Sequence, residues 1–278
     1  ANGPRQGDRI FRKMEEISVV HRSRRYYNLE VGDIVERRLV DGDFVLLNRQ
    51  PTLHKASMQA FKIIIHPGKS FRFNLACTKA FNADFDGDEM NIHVPQSLEA
   101  QAEIKFLSTV QNNFINCQSS KLNLVIVQDG ILGLFLMTKR DSIELSREQF
   151  FQCSMRLSLS CQKVLDRMKE IEKSLSEWKK QGKITRTKLL SGRGLVSLLL
   201  PASFEYDRPI GKEPFEKNLV IKNGVLMQGC LGKSAVGAVH HCIPQYVLNE
   251  YGLDVAMNLI NDLQFVANAW LEISSFSI

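Results

Sequence analysis

Phe71, Phe73 and Leu75 alternate with Arg72 and Asn74, the period-two pattern of a half-buried strand. Upstream, residues 31–47 read as strands broken at Gly32-Asp33 and Asp41-Gly42-Asp43, since Asp-Gly is a turn signal. Phe44 to Leu47 is then a short buried strand. Residues 56–77 continue in mixed alternation through Ile63, Ile64 and Ile65, broken at His66-Pro67-Gly68. Ile92 to Val94 is a further apolar, strand-like run. After it the period changes. Ser97 can cap a helix from Leu98 to Thr109, with Leu98, Ala102 and Phe106 on one face. A polar loop (Gln111 to Lys121) precedes an apolar segment, Leu122 to Met137, where Gln128-Asp129 could start a helix after a short strand. Ser146 with Gln149 forms a capping box for a helix that continues, with breaks, to Lys180. Ser191-Gly192-Arg193-Gly194 reads as a turn, and Leu195 to Leu200 as a buried segment ended by Pro201. Asn223-Gly224 between Leu219-Val220-Ile221 and Val225-Leu226-Met227 predicts a hairpin. Val255, Leu259, Leu263, Val266, Ala267 and Trp270 share one face of a last helix.

Between the two apolar runs lies Asn82-Ala83-Asp84-Phe85-Asp86-Gly87-Asp88-Glu89-Met90. Three aspartates fall at i, i+2 and i+4, and no basic residue lies between Lys79 and Lys105. On a helix Asp84 and Asp86 would point apart; on an extended loop all three can face one way. Gly87 permits the positive φ of a tight bend. Crowded carboxylates raise one another's pKa unless a cation joins them, and all-oxygen ligation selects Mg²⁺ or Ca²⁺. An EF-hand does not fit: counted from Asp84, the glycine falls at position 4 and position 12 is Pro95. A solvated acidic turn is the plain alternative, and the apolar flanks favour a held loop over it. Gly232-Lys233-Ser234 and Gly68-Lys69-Ser70 are not P-loops, because the glycine required five residues earlier is Met227 or Ile63.

The 278 residues suffice for two or three modest domains. A net charge of +6 is compatible with a polyanionic partner but mild. Six cysteines without CxxC spacing give no zinc site and suit a reduced, intracellular setting better than a disulfide framework. No apolar run approaches the ~18 residues needed to cross a bilayer, so no membrane partner is expected. The start, Ala1-Asn2-Gly3-Pro4, has neither an apolar core nor an initiator methionine, so the chain is expected to be a piece of a longer one, cut at both ends. Arg22-Ser23-Arg24-Arg25 followed by Tyr26 and Tyr27 reads equally as a phosphate contact or a solvated basic turn. Lys179, Lys180, Lys183, Arg186, Lys188 and Arg193 fall in a stretch without acids, read as an exposed loop or, alternatively, an electrostatic lure for anions. His93 reads as a core histidine, and neither His54 nor Lys55 is expected to be catalytic.

The acidic block resembles the catalytic signature of the largest subunit of multisubunit DNA-dependent RNA polymerases. Leu46-Leu47-Asn48-Arg49-Gln50-Pro51-Thr52-Leu53-His54-Lys55 resembles a second signature, Val125-Ile126-Val127-Gln128-Asp129-Gly130 a third, and Asn268-Ala269-Trp270-Leu271 a fourth, all in the family's order. The resemblance implies an α+β chain: a partial double-psi β-barrel carrying the metal loop, followed by a mixed α/β pore domain. Its domains would be the dock end with barrel strands (1–45), the active-site region (46–110) and the pore (111–278), with a helical, basic insertion around 146–193. Asp84, Asp86 and Asp88 would hold one Mg²⁺, a second ion arriving with the ribonucleoside triphosphate, with Asp88 the aspartate shared between the two. Arg49 and Asn82 match positions beside the nucleotide sugar, where a planar guanidinium and an amide can recognise hydroxyls. The implied partners are the second-largest polymerase subunit, smaller subunits, DNA template and RNA transcript. The family's bridge helix and trigger loop would lie downstream, so the chain alone is expected to be nearly inactive. Thr52, where serine is commoner, and patchy agreement after Gln149 point to the enzyme of a large cytoplasmic DNA virus over a host nuclear one; the expected place is intracellular, the nucleus for a cellular enzyme and cytoplasm or virion for a viral one. Two alternatives stay open: a metal-stabilised interaction module without catalysis, and an RNA-dependent RNA polymerase sharing the barrel.

Overall fold

In the computed structural model, which describes residues 8–13, 15–18, 29–139, 144–180, 188–209 and 217–277, the turns at Gly32, Gly42 and Gly224 fall where the sequence places them. β1 (Arg9–Arg12) and β2 (Glu15–Ser18) pair antiparallel, and β3 (Ile34–Glu36) pairs with the other edge of β1. Gly32 (φ +101°) and Gly42 (φ +96°) make the two bends, in the region glycine enters without steric cost. Forked ion pairs brace each bend: Arg12 donates to both oxygens of Asp33 (2.9 and 2.8 Å), and Arg37 to both of Asp43 (2.6 and 2.9 Å). Residues 22–27, the basic and aromatic cluster, lie outside the described residues.

β4 (Phe44–Asn48) is the centre of a second antiparallel sheet, with β5 (Met58–Lys62) on one side and β6 (Asn91–His93) on the other. The strand predicted over Phe71 to Leu75 does not form. Asn74 instead accepts the Ala76 N–H (2.9 Å) and starts a 3₁₀ turn, Leu75–Cys77, that runs into α1 (Thr78–Phe81). Ala76, Cys77, Ala80 and Phe81 are buried, a helical spacing that overrides the alternation before it. The acidic loop is therefore entered from a helix and left through a strand. His93, read as a core residue, is exposed on β6.

Ser97 caps α2 (Leu98–Phe106) by accepting the Ala100 N–H (3.1 Å). Its predicted apolar face is not buried: Leu98 is 80% and Phe106 66% exposed, and Ile104 is the buried side chain. α3 (Asp129–Thr138) starts after Gln128 as expected, though no side-chain cap and no preceding strand are present. The Ser146–Gln149 capping box is formed reciprocally (3.2 and 2.9 Å) at α4 (Arg147–Ser154), followed by a break and α5 (Cys161–Lys180). Ser191 is not in a free turn; it caps α6 (Gly192–Leu199), which contains the buried segment. The two glycines permit close backbone approach there. A Cβ at Gly192 would sit 2.1 Å from the Met137 carbonyl oxygen, and one at Gly194 1.9 Å from that of Leu189. Arg193 is buried, its Nε donating to the Thr138 carbonyl (2.8 Å), so this part of the basic stretch is not an exposed loop. Lys179, Lys180 and Lys188 are exposed, Lys188 pairing with Glu144, while Lys183 and Arg186 lie outside the described residues.

β7 (Tyr206–Arg208), β8 (Leu219–Lys222) and β9 (Val225–Gln228) form a third sheet, and Asn223 (φ +50°) and Gly224 (φ +66°) close the predicted hairpin. α7 (Lys233–Val236) and α8 (Ile243–Tyr251) lead to α9 (Leu253–Ser274). Leu259, Leu263, Val266, Ala267 and Trp270 of α9 are buried as predicted, whereas Val255 is exposed. α3 packs along α9, and their close approach is set by Gly133, where a Cβ would meet the Ala267 carbonyl oxygen at 2.8 Å. The three sheets are separate, and among the described residues no barrel closes. The chain is thus α+β, with three small sheets, one of them beside the loop, and a core built mainly from the later helices. No helix is long and apolar enough to cross a membrane among the described residues.

Candidate metal centre

The register of the second sheet builds the site. Asn48 at the end of β4 lies opposite Asn91 at the start of β6. Arg49, one residue beyond, is therefore carried to the same edge as the residues leading into β6. On the other side, Phe81 anchors α1. It is 2% exposed and held between Phe61 and Phe73, with ring centroids 6.0 and 5.9 Å away. α1 stops at Asn82, which adopts the left-handed conformation (φ +49°, ψ +41°). The Asn82 N–H donates to the Lys79 carbonyl (3.2 Å) and the Ala83 N–H to that of Thr78 (3.0 Å), closing the helix end. Asparagine tolerates this conformation better than most residues, which gives Asn82 a backbone role that the sequence reading missed. Gly87 supplies the second bend, at φ +121°.

Between these fixed ends the loop brings Asp84, Asp86 and Asp88 together. One carboxylate oxygen from each lies within 4.8 Å of the others, and the group is the single cluster of its kind among the described residues. Arg49 reaches it through two donors, Nε to Asp88 Oδ2 (2.7 Å) and Nη2 to Asp88 Oδ1 (3.2 Å). Asp88 Oδ2 also accepts the Asp84 N–H (3.1 Å). The Arg49 and Asp88 side chains retain 20% and 19% of their exposure, so water reaches the pair.

The charges are unevenly compensated. The Arg49 guanidinium, with help from the Asp84 N–H, holds the Asp88 carboxyl below the usual carboxylate range. Asp84 is pushed up, first by its hydrogen-bonded neighbour Asp86, then by lost hydration and by the negative charges of Asp86 and Asp88. One arginine does not neutralise the trio. A divalent oxygen-seeking cation fits this deficit in both charge and donor type. Octahedral Mg²⁺ with bonds of about 2.1 Å sets neighbouring ligand oxygens about 3.0 Å apart and opposite ones about 4.2 Å, so from a spread of up to 4.8 Å the carboxylates would turn inward to bind. Exposed, rotatable carboxylates allow that.

Of the predicted residues, the three aspartates and Arg49 converge, and Asn82 stands at the entrance to the loop with its side chain exposed. His54 stays outside the cluster, near Ser57 (3.5 Å), and Lys55 donates to Cys117 Sγ (3.2 Å). Asn74, Phe81 and their buried neighbours hold the loop, a role the strand-like alternation before them conceals. The spacing of Ala76, Cys77, Ala80 and Phe81 is the signal that could have found them.

Comparison with known proteins gives the family. The family model described as RNA polymerase Rpb1, domain 2, matches residues 5–110, and that for RNA polymerase Rpb1, domain 3, matches residues 113–278. The chain is 41% identical, over 99% of its length, to a probable DNA-directed RNA polymerase II subunit RPB1 homolog of Invertebrate iridescent virus 6. It is 36% identical, over 92% of its length, to the DNA-directed RNA polymerase II subunits RPB1-A and RPB1-B of Trypanosoma brucei brucei. It spans 26% of the viral relative and 14% of each trypanosome one. With both family models in chain order across nearly every residue, the chain belongs to the Rpb1 family of RNA polymerase largest subunits.

Proposed function

We propose that this chain is the metal-holding part of the largest subunit of a DNA-directed RNA polymerase, and that Asp84, Asp86 and Asp88 jointly hold Mg²⁺. The observation that carries this is the convergence of three carboxylates within 4.8 Å on a loop fixed by α1 and β6. Bound there, Mg²⁺ supplies Lewis-acid chemistry: it lowers the pKa of the transcript 3′-hydroxyl and polarises the α-phosphate of the incoming ribonucleoside triphosphate. The chain's own residues hold and orient. The aspartates would fix the ion's position, and Asp88, on the Arg49 side, would be the one to reach a second ion accompanying the triphosphate. Arg49 offers a planar fork, and Asn82 a donor and an acceptor, to the sugar hydroxyls that distinguish RNA precursors from DNA precursors.

In this reading the β4–β5–β6 sheet is part of a double-psi barrel whose remaining strands come from outside these residues. Residues 1–45, 46–110 and 111–278 then correspond to dock end, active-site region and pore. DNA template, RNA transcript, the second-largest subunit and smaller subunits complete the machine, which works inside the cell: in the nucleus for a cellular enzyme, in cytoplasm or virion for a viral one. The metal-stabilised interaction module has one observation in its favour, the exposed apolar side chains Phe85, Ile92, Val94 and Leu98 around the loop. Asp86→Asn in the intact polymerase separates the two. Catalytic metal predicts loss of nucleotide addition by about a hundredfold or more, as removal of several kcal/mol of charge stabilisation implies, with assembly intact. Dissociation of the subunits would support the interaction module instead.

A further inference from the structure

Resting on the metal reading above, we infer that Arg49 is an internal counter-ion that competes with Mg²⁺ for Asp88, so that metal loading frees the guanidinium for the nucleotide. An ionised carboxylate offers about four lone-pair positions. At Asp88 three are engaged: Arg49 Nε and the Asp84 N–H on Oδ2, and Arg49 Nη2 on Oδ1. A planar guanidinium gripping both oxygens leaves a cation only the remaining lone pair on Oδ1. A fixed positive charge beside the trio also repels a divalent ion. Arg49 feels all three aspartates, its own charge being stabilised first by Asp88 and then by Asp84 and Asp86. An incoming ion shares these charges and loosens the fork.

The consequence is a coupling built into one side chain. While the fork holds Asp88, two of the five Arg49 donors are engaged and the guanidinium plane is fixed on the carboxylate, and Asp88 is not fully available to metal. Once an ion draws Asp88 in, the β4 end keeps Arg49 at the same edge with its donors released. Metal occupancy and sugar recognition are then linked through a shared residue, and the trio is kept compact before any ion arrives.

The test measures metal affinity without turnover, in the intact polymerase that contains this chain. Fe²⁺ in place of Mg²⁺, with ascorbate and peroxide, cuts the backbone beside the bound ion, and suppression of cutting by added Mg²⁺ gives an apparent affinity. Arg49→Gln is expected to bind Mg²⁺ roughly two- to fivefold more tightly, the range in which an exposed ion pair contributes. Arg49→Lys, which keeps the charge without the fork, is expected between Arg49→Gln and wild type. Unchanged or weaker Mg²⁺ affinity in Arg49→Gln overturns the inference, and so does Arg49→Lys behaving as wild type while Arg49→Gln tightens. If wild type shows no cutting at the acidic loop, or cutting survives Asp86→Asn, the metal reading itself fails and this inference with it.

Discussion

Phe81 is the single side chain on which the position of the acidic loop depends most. Its ring is 2% exposed, packed against Phe61 and Phe73, and it sits one residue before the left-handed stop at Asn82. Truncation to alanine removes a buried ring and leaves a cavity, a change that costs about 3–5 kcal/mol. α1 is a single four-residue helix, too short to persist on its own hydrogen bonds. The loss should therefore appear as local opening of the turn, helix and loop rather than as global unfolding. At about 1.4 kcal/mol per factor of ten, a ~4 kcal/mol loss accelerates exchange of the Asn82 and Ala83 amides, which close the helix end, by roughly a thousandfold. Hydrogen exchange read by mass spectrometry on peptides covering residues 74–93 and 253–274 measures this directly. The first peptide should accelerate by two to three orders of magnitude, as ~4 kcal/mol implies, while the α9 peptide is unchanged. Equal acceleration in both would show that the loop is not a separable unit. No acceleration in either would show that the ring is not its anchor.

Three further outcomes concern buried positions elsewhere in the chain. Gly192→Ala should destabilise by about 1–3 kcal/mol or more in denaturant melts, because the new Cβ falls 2.1 Å from the backbone oxygen of Met137, which cannot yield as a side-chain tip can. Burial raises the Asp262 carboxyl against the opposing pull of the Ser158 N–H (3.0 Å) and hydroxyl (2.7 Å). A folded value above the unfolded 3.8 means that the ionised group subtracts stability at neutral pH and the penalty fades as pH falls toward 3.8. Asp262→Asn should then be near neutral at pH 7, whereas Asp262→Ala, which strands the Ser158 N–H, should lose about 1–3 kcal/mol by thermal melting. Cys77 and Cys153 are pushed up to about 11 by burial, so at pH 7.5 iodoacetamide should label the exposed Cys117 and Cys161 and spare these two until the chain unfolds.

Much of the site could be read from residue order, because its chemistry is local. Three aspartates at alternate positions with Gly87 can share one side only on a bent loop, and the loop is bent there. Arg49 is 39 residues from Asp88, and no spacing rule joins them; the β4–β6 register does. The hairpin at Asn223-Gly224 and the capping box at Ser146 follow from turn and cap chemistry that involves a few neighbouring residues. Errors came where tertiary contact decided. The alternation of Phe71, Phe73 and Leu75 yields to a helix nucleated by Asn74 and drawn inward by Phe81. Gly192 and Gly194 look like turn residues, yet they are small because backbone oxygens lie against them. The apolar face of α2 was readable, but its exposure was not, since no periodicity tells whether a neighbour exists to cover it.

The central claim is that one ion joins Asp84, Asp86 and Asp88. Crystals of the intact polymerase soaked with Mn²⁺ as an anomalous scatterer for Mg²⁺ test it most directly. A single strong anomalous peak is expected at the acidic loop, about 2.1 Å from one oxygen of each of the three aspartates. Carboxylates turned to separate surfaces, or manganese bound elsewhere with none at this loop, would contradict it.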